Sequence, residues 1–191
     1  RMTDERENRV ASCAPVHVVN EDGNSPWLLI CEHASNFIPE RFNSLGLNAD
    51  ALTAHIAWDP GAVAVARRLS AGLNATLVES GLSRLLIDCN RPLHASDLIP
   101  EISETTIIPG NHDLSAKERT ARIDLAHRPF HTCVEKVIAE RTKRGLPSWI
   151  ATIHSFTPAY RSVSRPWQIG IIHDEDDRIA KPLIAAHPRH E

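Results

Sequence analysis

No stretch of the 191-residue sequence is both apolar and long enough to cross a bilayer. The longest such runs, 27–31 and 148–153, are strand-sized, and the opening RMTDERENRV is charged where a secretory leader is apolar. The expectation is a cytoplasmic protein with no membrane span and no Sec export. Basic clusters are scarce as well. None is denser than Arg141-Thr142-Lys143-Arg144, and the formal net charge is -3. A surface that tracks phosphates needs more, so nucleic acid is excluded as a partner. The cysteines at positions 13, 31, 89 and 133 are too dispersed for a metal knuckle or a redox pair, which fits a reducing compartment. Internal repeats and low-complexity tracts are missing too.

With 42% hydrophobic and 24% charged residues, the chain has the length and composition of one compact domain that buries a full core without staples. Residues 1–15 lack apolar periodicity and read as a flexible lead-in, leaving 16–191 as a single domain. Trp27 to Cys31 is continuously apolar, the mark of a strand buried on both faces. A short helix is predicted over Asp50 to Ala57. A second runs from Pro60 to about Leu73, with Val63, Ala66 and Leu69 inward and Ala62 and Val65 alongside. Ala75 to Glu79 and Arg84 to Asp88 read as a hairpin around Ser80-Gly81-Leu82-Ser83. Residues 92–114 form a long aperiodic loop of the kind that makes catalytic lids. From Ser115, an N-cap with Glu118 three residues on, two helical pieces separated at Pro129 extend toward Arg144. Strands at Trp149 to Ile153 and Gln168 to Ile172 and a helix from Asp176 to Ala186 complete the order. It implies an α/β three-layer sandwich with a mixed, mostly parallel sheet.

Eleven histidines are the compositional oddity. In open α/β sheets, reactive groups gather just past the carboxyl ends of strands. His33 follows the first buried strand in Cys31-Glu32-His33-Ala34-Ser35-Asn36, and His154 follows the strand Trp149 to Ile153. Asp59 stands before Pro60. One histidine so placed more often just ends a strand, and an Asp before a proline is a favoured helix cap. Two such histidines with a carboxylate nevertheless form a catalytic zinc set with a fourth position open for water.

Five strings add to this reading: Cys31-Glu-His-Ala-Ser-Asn-Phe-Ile-Pro39, Trp58-Asp-Pro-Gly-Ala62, Ser83-Arg-Leu-Leu-Ile-Asp-Cys-Asn-Arg-Pro92, Ile153-His-Ser-Phe-Thr-Pro158 and Ile169-Gly-Ile-Ile-His-Asp174. In this order, over about residues 27–184, they resemble the N-formylglutamate amidohydrolase family. The resemblance implies a zinc-peptidase-like α/β fold, one Zn2+ ion and hydrolysis of an N-formyl or related N-acyl amino acid. It assigns the metal to His33, Asp59 and His154, with Glu32 competing with Asp59 as the acidic ligand. Strand alternation would aim Glu32 and His33 at opposite faces if the strand extended that far.

A substrate rich in carboxylates calls for guanidinium forks. Arg91 with Asn90 is the first choice, its alternative being an ion pair with Asp88 or a neighbouring acid. Arg84 is expected at the opposite end of its strand, and Ser155, Arg161 and Arg165 are secondary candidates. For the proton relay, the family's later acidic segment has no counterpart here, because Ala185 to Glu191 does not resemble the family's continuation. Glu32 and Glu104, with Glu101 behind them, are the candidates to substitute. Two further readings stay open: a catalytically silent binding or structural member, and a zinc amidase of peptide or cell-wall stems. The expected partner is a small N-acyl amino acid, and a homo-oligomer is allowed.

Overall fold

The computed structural model describes residues 14–160 and 163–186. Most of the expected lead-in, and Arg161, lie outside them. The chain divides into two compact units, Arg1–Phe156 and Thr157–Glu191.

In the first unit a four-stranded sheet has the order β1-β3-β2-β6, formed by β1 (Val16–Val19), β2 (Trp27–Cys31), β3 (Thr76–Ser80) and β6 (Trp149–Thr152). β2 runs parallel to both neighbours, with Leu29 opposite Leu77 on one side and Ala151 on the other, while β1 is antiparallel to β3. The continuous apolar run of β2 is explained by its two covered faces. Leu29, Cys31 and Leu77 pack against Ala62 and Ala66 of helix α2 (Ala62–Leu73). Leu28, Ile30 and Val78 pack against Phe130, Val134 and Val137 of helix α4 (Arg128–Lys143). Helix, sheet and helix make the three layers, and the sheet is mixed and mostly parallel, as the element order implies.

Several local expectations need correction. β1 was not foreseen, and Arg84 to Asp88 is no strand, so the hairpin does not form. β3 takes β1 and β2 as partners instead. The apolar side chains Leu85 and Leu86, in a turn, and Ile87 just after it enter a second core with Leu98, Ile99 and Ile108. That core incorporates the long loop 92–114, which carries a two-residue hairpin, β4 (Ile102–Ser103) with β5 (Thr106–Ile107). The loop is packed structure, which departs from the lid expected of it. The first predicted helix is shorter, α1 (Ala49–Thr53), capped by the Asn48 side chain.

Helix α2 starts at Gly61, whose φ of 84 is left-handed backbone suited to glycine. Its buried residues are Ala62, Ala66 and Ser70, small enough for close approach to the sheet, whereas Val65 and Leu69 are exposed. Ser115 and Glu118 form the expected capping box on α3 (Ala116–Arg122). Around Pro129 the chain stays helical, passing through a π-turn, Ile123–His127, into α4. A π-turn shifts donors and acceptors by one place, which accommodates a proline that cannot donate.

At the amino-terminal edge of the sheet, fully buried Arg141 donates to the carbonyls of Ser25 (2.6 Å) and Pro147 (2.7 Å) and to Ser148 Oγ (3.0 Å). These bonds tie the entries to β2 and β6 together.

The second unit carries a hairpin of β7 (Ala159–Tyr160) and β8 (Val163–Ser164) and the short helix α5 (Ala180–Ala186). Gln168 to Ile172 is not a strand, and Ile172 is fully exposed. An apolar run of that length reads as a strand only where something covers it. Among the described residues, no helix is long and apolar enough to cross a membrane.

Candidate metal centre

The sheet order places the reversal of winding at β2. From β2 the chain crosses through α2 to β3 on one flank, and through α3 and α4 it returns to β6 on the other. A crevice opens at the carboxyl ends of strands where winding reverses. His33 and His154 each lie two residues past a strand end there, on neighbouring parallel strands. Asp59 is brought in by its own backbone, whose N–H donates to the His33 carbonyl at 3.0 Å. Because Gly61 starts α2 with no side-chain cap, the Asp59 carboxylate is free for the crevice and is not the helix cap that its position suggested.

One donor atom from each of His33, Asp59 and His154 falls within 4.8 Å of the other two, an arrangement that could hold a metal ion. Asp59 Oδ2 receives His154 Nδ1 at 2.9 Å and the Ser155 N–H at 3.2 Å, and lies 3.5 Å from His33 Nδ1. The two rings meet edge to face, with centroids 4.9 Å apart. His33 and Asp59 are buried, while the His154 side chain is 30% exposed and forms the open wall.

Glu32 belongs to the same cluster. β2 ends at Cys31 and a turn follows, so strand alternation no longer applies and Glu32 Oε2 lies 3.4 Å from His154 Nε2. Among the described residues, Glu32 Oε2 and His33 Nδ1 are the buried side-chain polar atoms left without a hydrogen-bond partner. Such groups are costly to bury, and two facing one crevice are what a site built around an ion or a reacting molecule presents.

The electrostatics follow from burial and partners. Burial opposes charging of His33, yet the neighbouring carboxylates of Asp59 and Asp88 outweigh it and hold the imidazole above its ordinary value. Burial would raise the Asp59 carboxyl, but its hydrogen bond with His154 and the imidazole of His33 close beside it hold it well below the usual range. Asp88, opposed by burial in the same way, is brought down to about 2 by His33 and Arg84. The Cys31 and Cys89 thiols are pushed by burial up to about 12, which removes them as nucleophiles.

Arg84 does not lie at the far end of a strand. Its Nη2 donates to Asp88 Oδ2 at 2.9 Å, and its Nη1 lies 3.5 Å from Asp59 Oδ1. Arg91 pairs with a neighbouring acid, Asp97, at 2.7 Å, and the pair with Asp88 is made by Arg84. Asn90 sits on the same turn and gives its N–H to Asp88 Oδ1 at 2.9 Å. Glu104 is exposed and pairs with His55 at 3.1 Å, not with the three donors, and Glu101 pairs with His112 at 3.4 Å.

Sequence reasoning missed Asp88 as a partner of the site, although Asp88 Oδ1 accepts from His33 Nε2 at 2.7 Å. The only signal was its place in the string Ile87-Asp88-Cys89-Asn90-Arg91. It also missed a brace behind that string. His127 Nε2 donates to the Arg91 carbonyl at 2.8 Å and His131 Nε2 to the Cys89 carbonyl at 3.0 Å, both from the helical segment around the π-turn.

The N-formylglutamate amidohydrolase family matches residues 25–191, a span that includes the closing residues expected to depart from it. Among solved structures, gene product Atu2144 from Agrobacterium tumefaciens is 48% identical with a TM-score of 0.89, over 92% of this chain and 70% of that one. The N-formylglutamate amidohydrolase from Ralstonia eutropha JMP134 has a TM-score of 0.58 at 21% identity, over 82% of this chain and 63% of that one, and speaks for the fold. No curated protein sequence matches significantly. With the family match running from β2 to the last residue, the chain belongs to the N-formylglutamate amidohydrolase family.

Proposed function

We propose that the chain is a zinc-dependent amidohydrolase that cleaves an N-formyl or related N-acyl amino acid of the N-formylglutamate type into a carboxylic acid and the free amino acid. The observation that carries this reading is the unpartnered nitrogen of buried His33, lodged beside Asp59 and His154 at the carboxyl ends of β2 and β6. Two imidazoles and one carboxylate fit zinc, although nickel, cobalt and iron accept the same donors. His33, Asp59 and His154 would hold the ion, which supplies Lewis acidity toward the acyl carbonyl and toward water.

The remaining residues have distinct work. Glu32 holds and moves the proton at Oε2, taking it from the attacking water and delivering it to the departing amine, because this buried oxygen is unpartnered within the crevice. Arg84, part exposed beside the two aspartates, is placed to take a substrate carboxylate. Arg91 and Asn90 on the same turn are the second carboxylate site, and Arg91 would exchange Asp97 for substrate. Ser155 keeps Asp59 in place through its backbone N–H. Glu104 and Arg161 stay outside this scheme.

The test is metal analysis of protein purified without chelator or nickel, followed by assay of formate release from N-formyl-L-glutamate. One equivalent of zinc, lost in His33→Ala and His154→Ala, is expected. Full occupancy in both variants would place the metal elsewhere, and zinc-loaded protein without formate release would favour the silent reading.

A further inference from the structure

The zinc reading uses His33 but leaves Asp88 unexplained. Asp88 is 3% exposed, carries no donor to the crevice and is held from three sides. Arg84 Nη2 binds its Oδ2 at 2.9 Å, while the Asn90 N–H (2.9 Å) and His33 Nε2 (2.7 Å) share its Oδ1. An ionised carboxylate only accepts hydrogen bonds, so the proton of a neutral His33 ring must sit on Nε2. The lone pair is then forced onto Nδ1. That atom has no hydrogen-bond partner and lies 3.5 Å from an Asp59 carboxylate oxygen, a distance at which two electron-rich atoms repel unless a proton or cation sits between them.

Resting on the zinc reading for its consequence, we propose that Asp88 is a positioning residue that fixes His33 in the Nε2–H tautomer and aims Nδ1 at the metal. Arg84 completes the device by occupying the second oxygen of Asp88, which keeps Oδ1 for His33. The turn that carries Asp88 cannot drift, because His127 and His131 hold the carbonyls of Arg91 and Cys89 on either side of Asn90. A carboxylate behind a ligating imidazole raises its basicity and fixes its orientation, and losing such a partner typically weakens metal binding by about 10- to 100-fold.

The test begins with metal-free, full-chain protein and long-range proton–nitrogen NMR correlation at a pH where His33 is neutral. His33 is expected with its proton on Nε2, and a proton on Nδ1 overturns the proposal whatever the metal content of the protein. Asp88→Asn is then examined in the same way and titrated with zinc against a competing chelator. The amide can donate as well as accept, so the Nε2–H preference should be lost and zinc should bind about 10- to 100-fold more weakly, with the stoichiometry unchanged. Wild-type tautomer and affinity in the variant overturn the proposal. Should Asp88→Asn fail to fold, the wild-type spectrum alone decides. If wild-type protein binds no zinc, the function proposed above fails while the tautomer still answers for Asp88.

Discussion

Replacing Glu32 by Gln separates chemistry from architecture at this site. Glu32 is 7% exposed, and its Oε2 makes no hydrogen bond. The nearest charged or imidazole group paired with it is His154 Nε2 at 3.4 Å. Gln has the same shape but cannot carry a proton between water and amine. Removing a general acid–base costs about 10²- to 10⁴-fold in turnover, equivalent to roughly 3–5 kcal/mol in the barrier. Folding stability should hardly change, within about 1 kcal/mol, since no hydrogen bond is lost and an uncompensated buried oxygen is exchanged for an amide. Three measurements on one preparation decide: formate release under saturating substrate, zinc content, and urea unfolding. The expected outcome is a slow, stable variant with a full equivalent of zinc. Turnover within tenfold of wild type at full zinc would refute the proton role. Loss of zinc together with activity would make Glu32 a ligand in competition with Asp59.

Under the proposed function, Arg84→Lys should raise KM for N-formyl-L-glutamate by roughly tenfold or more, because one ammonium cannot replace a planar fork that meets Asp59 and Asp88 and would also take a substrate carboxylate. An unchanged KM would return Arg84 to a structural role. Arg141→Met leaves the carbonyls of Ser25 and Pro147 without their donor and should cost about 3 kcal/mol in urea unfolding, where a loss below about 1 kcal/mol would show that water replaces it. In chelated protein, Asp88, lowered from 3.8 to about 2, contributes stability that is fully present above its unfolded value and lost as pH falls toward 2, about 2 kcal/mol in all. His33 acts with the opposite sign. Its raised value gives stability present below 6.5 and lost as pH climbs through the folded value. Both contributions are present between 3.8 and 6.5, and a wild-type curve that does not fall relative to that of His33→Ala between pH 6.5 and 8 would refute the part assigned to His33.

What the sequence could disclose depended on how local each determinant is. β2, the capping box at Ser115 and the strand-end histidines were legible because continuous apolarity, a four-residue cap and the end of a strand are properties of short windows. β1 was not, since Val16–Val19 is a strand through pairing with β3, sixty residues away in sequence. The apolar run Leu85-Leu86-Ile87 carried a strand's composition, yet its burial comes from Leu98 and Ile108 and needs no ladder. The same limit applies to charges. Both Arg84 and Arg91 were visible as candidates, but which of them meets Asp88 depends on the turn between β3 and the long loop. Asp59 showed the reverse case. Local rules made it a helix cap, and the left-handed Gly61 took over the start of the helix and released the carboxylate.

The placement of charge also bears on what the crevice admits. Asp59 and Asp88 are both held ionised by their surroundings, and among the described residues Arg84 is the guanidinium paired with them. A dicarboxylate substrate approaching this cluster meets like charge, which opposes binding unless positive charge is added beside Asp59. A divalent ion on His33, Asp59 and His154 would supply it. It would also relieve the contact between His33 Nδ1 and the Asp59 oxygen. Under the proposed function one ion would then serve both recognition and reactivity, beside an Arg84 already shared between two aspartates.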